Sequence, residues 1–84
     1  MEALDLRLTY FLLVHDRPRG QLLREDGFSD ADEALAERFV VEKAYRTNPD
    51  IEVVVLGAES REALRRTHSR YFMTLSELLR ARPA

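Results

Sequence analysis

Tyr10-Phe11-Leu12-Leu13-Val14 is an unbroken apolar run that ends at His15-Asp16 and is followed at once by Pro18 and Gly20. Read as a strand over Leu6–His15, it puts Leu6, Leu8, Tyr10, Leu12 and Val14 on one face. Arg7 and Thr9, then Phe11 and Leu13, fall on the other. A strand whose second half is apolar on both sides belongs in the middle of a sheet. That strand fixes the rest of the plan, because a chain of 84 residues has few other elements to set around it.

Turn signals at Pro18–Gly20, Asp26-Gly27 and Asn48-Pro49-Asp50 divide the chain into five elements. Gln21–Glu25 has weak alternation and reads as a short edge strand. A helix follows, capped by Ser29 or Asp30, with Asp32 or Glu33 as the reciprocal partner and an acidic first turn. It is expected to run to about Arg46, stopped by Asn48-Pro49. Ala31, Ala34, Leu35, Phe39, Val41 and Tyr45 share its broad inner face, Arg38 and Glu42 fall within that face, and Val40 points the opposite way. Ile51–Leu56 is the clearest strand, and Gly57-Ala58 turns the chain. Ser60 is the N-cap of a second helix, and Leu64, His68, Tyr71, Phe72, Leu75, Leu78 and Leu79 form one stripe along it. Two forms of this last helix are open. It continues to about Ala81, or it breaks near Met73, where Thr74-Leu75-Ser76-Glu77 makes a capping box.

The expected fold is a single α+β domain over residues 1–84 of order β-β-α-β-α, with 74–84 as a C-terminal helical extension. Its sheet has three strands, mainly antiparallel, in the order 2-1-3, with both helices on one face. The other face then stands open and half exposes Phe11, Leu13 and Val54. A second subunit is the expected lid, and the alternative is that the C-terminal segment folds round to cover it. A homodimer interface is accordingly expected at Phe11, Leu13, Val54, Tyr71, Leu75, Leu78 and Leu79. Small size points the same way, because a chain this short buries a modest core and has no cysteine to staple it.

The formal net charge of −2 hides an asymmetry. Residues 1–59 carry net −6 and residues 60–84 carry net +4. Self-complementarity is one reading, and a docking surface for an acidic protein is the other. Arg17, Arg19, Arg65, Arg66 and Arg70 are the candidate anion-binding residues, with Arg61, Arg80 and Arg82 nearby in sequence. Nucleic-acid binding through this arginine face is an alternative function, although the chain lacks the basic excess usual for it.

No glycine phosphate loop, HExxH, nucleophile elbow or EF-hand loop occurs, and the lack of cysteine excludes thiol catalysis. The enzyme reading rests on His15, Asp16 and His68 meeting as an acid–base cluster. No metal site and no cofactor are expected. No apolar segment is long enough for a membrane helix, Met1–Asp5 lacks a basic n-region, and cysteine is absent, so a cytoplasmic protein is expected. The sequence alone leads to a small interaction or regulatory module, working as a homodimer.

Overall fold

The structure is a computed structural model that describes residues 7–72. Strand β1 (Thr9–Asp16) is central, flanked by β2 (Gln21–Phe28) and β3 (Ile51–Ala58). Both neighbours run antiparallel to it, giving the order β2-β1-β3. Helix α1 (Ala31–Ala44) crosses from β2 to β3, and the short helix α2 (Arg61–Thr67) follows β3 and leads into a 3-10 turn (Ser69–Tyr71). The fold is therefore the small α+β domain that the sequence predicts, with the predicted strand order. The expected extension over 74–84, with Leu75, Leu78 and Leu79, lies outside the described residues.

Local chemistry sets each boundary. Pro18 and Gly20 make the β1–β2 turn, where the Gly20 amide donates to the Arg17 carbonyl at 3.2 Å and Gly20 takes φ 60°. The β2 register slips between Val14 and His15, which leaves Leu23 as the extra residue of a bulge, 45% exposed. Asp30 caps α1 by accepting from the Asp32 amide, and Ser60 caps α2 by accepting from the Ala63 amide. After α1 the Asn48 side chain accepts from the Asp50 amide and turns the chain into β3.

The core has two halves, one on each side of β1. On one face Leu12, Val14 and Val53 pack with Val41 of α1, and Phe28, Ile51 and Val55 sit at the margin. On the other face Phe11, Leu13 and Ala58 pack with Leu64 of α2 and with Tyr71, and Leu22, Val54 and Leu56 support them. The two helices thus take opposite faces, which corrects the one-face expectation. Phe11 is 4% exposed and Leu13 is fully buried within a single chain, so the predicted open sheet face does not exist. The physical reason is the unbroken apolar run from Tyr10 to Val14. Burying each large apolar side chain stabilises by about 2 kcal/mol, so an apolar surface on both sides of β1 draws a helix to each. Neither expected lid is the one described: α2 and Tyr71 cover that face, and the C-terminal segment lies outside the described residues.

The last helix is shorter than predicted. It stops at Thr67, His68 is its C-cap with φ −129° and ψ 46°, and the Tyr71 amide bonds back to the His68 carbonyl. The break comes at His68, five residues before Met73. A continuous helix would carry Tyr71 onward along the helix axis, whereas the 3-10 turn seats it on the sheet, 5% exposed.

Helix α1 is rolled relative to the expectation. Ala34 and Val41 are its buried residues, while Leu35 is 49% exposed and Phe39 70% exposed. Ala34 allows a close approach to the sheet. Arg24 of β2 holds the roll by donating to Glu37 at 2.9 Å while also pairing with Asp26. Arg38 and Glu42 pair at 3.4 Å on the rim.

Candidate functional site

Two features stand out once the core is assigned: a polar cluster at one end of the α2 face and an uncovered stripe on α1.

The polar cluster is built on paired positions of β1 and β3. His15 lies opposite Glu52, and Tyr71 closes over both. The Tyr71 ring meets His15 edge-on at 5.3 Å and His68 at 6.5 Å. Its hydroxyl donates to Glu52 at 3.0 Å and accepts from Arg70 at 2.6 Å. Arg70 also reaches Glu52 at 3.3 Å and lies over the Tyr71 ring at 4.1 Å, and Arg17 faces the same carboxylate at 3.5 Å. Burial alone would push the Glu52 carboxyl up, but the Tyr71 hydrogen bond and the Arg70 and Arg17 charges outweigh it and hold Glu52 below its ordinary value. Tyr71 is pushed up, first by burial and then by its bond to Glu52. His15 is 4% exposed, and neither ring nitrogen has a hydrogen-bond partner among the described residues. Burial lowers its affinity for a proton, against the pull of Glu52 and with the push of Arg70.

This arrangement does not assemble the predicted His15–Asp16–His68 cluster. Asp16 is engaged in the β1–β2 turn, where it accepts from the Arg19 amide at 3.3 Å. Tyr71 packs against both imidazoles, and no group of three metal-ligating side chains occurs among the described residues. Glu52 and Tyr71, which organise the cluster, were not singled out for it from the sequence. The alternation of β3 could have placed Glu52 beside His15, but the arrival of Tyr71 from a distant segment could not be foreseen.

The predicted anion-binding arginines are mostly spent on carboxylates of the same chain. Arg17 and Arg70 face Glu52, Arg19 faces Asp16 at 3.8 Å, and Arg65 faces Glu25 at 3.7 Å and lies over Phe72 at 4.6 Å. Arg61 also pairs with Glu25. Arg66 is exposed and makes no ion pair among the described residues. An open cavity of about 410 Å³ beside Gln21, Leu22 and Tyr71 mixes both charge signs through Arg19, Arg65 and Glu25.

The second feature is the outer side of α1. Leu35, Phe39 and Val40 are 49%, 70% and 60% exposed. With Ala36 they make an apolar stripe turned away from the sheet. Next to Phe39 lies a shallow cavity of about 300 Å³ lined by Glu42, Lys43 and Arg46. The sequence already carried the signal: at 100° per residue α1 is apolar on two opposed sides, and Val40 was the residue that fell outside the inner face.

No protein-family model, curated protein or solved structure matches this chain.

Proposed function

We propose that this chain is a cytoplasmic protein-interaction module that self-associates through the outer face of α1. The observation that carries the reading is Phe39, 70% exposed between Leu35 and Val40 on a helix whose opposite side already packs on the sheet. A second apolar side on a helix already packed on a sheet leaves a contiguous exposed patch, and such patches mark interaction surfaces. Phe11, Leu13 and Tyr71 no longer support the interface, because α2 and the 3-10 turn cover them within one chain. The absence of a cysteine fits a reducing compartment, and no described helix is long and apolar enough to cross a membrane.

The polyanion reading is less well supported, since Glu25 and Glu52 already face Arg17, Arg61, Arg65 and Arg70. The enzyme reading lacks the cluster it requires. Sedimentation equilibrium between low and high micromolar concentration tests the proposal. The expected result is a reversible shift from 9.8 kDa towards twice that mass, abolished by Phe39→Glu. A 9.8 kDa species at every concentration overturns it.

A further inference from the structure

We infer that the two copies pair α1 against α1, antiparallel, about a two-fold axis at Phe39. This inference rests on the self-association reading and adds the arrangement. Taking 100° per residue, the centre of Leu35, Ala36, Phe39 and Val40 lies about 180° from the buried flank of Ala34 and Val41. Asp32 falls on the same outer stripe at its N-terminal end, Lys43 falls on it at the C-terminal end, and Arg46 continues it past the helix. The outer face therefore reads acidic, apolar, basic along its length.

That pattern is complementary to its own reverse. A two-fold axis at Phe39 brings each position into register with the one equally far on the other side. Asp32 then comes to the C-terminal end of the second copy's α1, where Arg46 stands just past the C-cap Tyr45 and lines the same cavity as Phe39 and Lys43. Leu35 meets Lys43, whose aliphatic stem covers it while the ammonium stays in water. The shallow cavity lined by Phe39, Glu42, Lys43 and Arg46 is the place where Leu35 of the second copy sits. The two Phe39 rings meet at the axis, where one side chain contributes to both halves. The helix dipoles oppose each other, which also favours the antiparallel pair.

The charges are free for this use. Glu37, Arg38 and Glu42 on the flanks of α1 are paired within the chain, Glu37 with Arg24 of β2, whereas Asp32, Lys43 and Arg46 make no ion pair among the described residues. A parallel pair would set Asp32 against Asp32 and Arg46 against Arg46.

The test is a charge exchange read by sedimentation equilibrium, with circular dichroism as the control for folding. Asp32→Arg alone and Arg46→Asp alone should each weaken the dimer about 10-fold, since each reverses two symmetry-related pairs. The double variant Asp32→Arg/Arg46→Asp restores the opposite-sign contacts and should recover wild-type dimerisation. An equimolar mixture of the two single variants should recover it as well, as a heterodimer. Phe39→Ala, an exposed site that leaves the fold intact, should weaken the dimer at least about 10-fold. If the wild type dimerises but the double variant is no stronger than the singles, the antiparallel pairing is wrong and self-association stands. If the wild type does not dimerise, both are overturned.

Discussion

His15 shows what a single position can hide. In the sequence it stands at the end of a strand, next to Asp16 and ahead of a Pro-Gly turn, where side chains are usually solvated. The structure buries it to 4% because Tyr71, which is 56 residues further on, packs edge-on against it. Burial depends on what arrives from elsewhere, and no neighbour in sequence reports that. The consequence is a pH dependence of known sign. The folded state prefers neutral His15, so its affinity for a proton lies below the ordinary value of 6.5. As pH falls from above 6.5 towards the folded value, the unfolded chain takes up a proton that the folded chain does not, and stability decreases; below the folded value the loss levels off. Glu52 adds a second, lower limb: its lowered value gives stability that is present above 4.5 and lost as pH falls through the folded value. Urea unfolding of the wild type should therefore weaken in two steps as pH drops. His15→Leu should remove the upper step and keep the lower; an unchanged upper step would mean that His15 is not the titrating group. Tyr71→Phe deletes the hydroxyl that joins Arg70 to Glu52 and should cost about 1 kcal/mol at pH 7.

At the scale of elements, much was legible. The apolar run placed β1 in the centre, Pro18–Gly20 placed the hairpin, and Ser60 and Asp30 were found as caps because capping chemistry is local. What escaped was the roll of α1 and the end of α2. The roll seats Ala34 and Val41 on the sheet and brings Glu37 to Arg24 of β2, contacts between elements that helix periodicity does not encode. The end of α2 depends on Tyr71 being needed over the sheet, which outweighs a continuous helical stripe. A helix of seven residues has no stability of its own in water. Leu64, fully buried over Phe11 and Leu13, is what holds it down. Leu64→Ala should cost about 3 kcal/mol and increase binding of a hydrophobic dye, as Phe11 and Leu13 lose their lid. Loss of stability without dye binding would mean that the 3-10 turn alone keeps that face dry.

For the whole molecule, the charge asymmetry along the chain becomes a pairing within the fold. The acidic strands supply Glu25 and Glu52, and the basic segment after β3 supplies Arg61, Arg65 and Arg70. Glu25 lies beside Leu13 on the α2 face of the sheet, so it ties α2 to β2 and faces two of its arginines at once. This gives a segment rich in arginine a role within the fold itself. Glu25→Gln tests it directly, because the amide keeps the shape and removes the charge. Arg61 and Arg65 would then join Arg66 as a cluster of three unmatched cations on one short helix. The variant should bind single-stranded RNA weakly at low salt, with an affinity that falls as salt rises with a logarithmic slope of about −2, near 0.7 per phosphate neutralised. Wild type should show no such binding under the same conditions. If wild type binds with the same slope, the arginines are available despite Glu25, and the polyanion reading replaces the one drawn from α1.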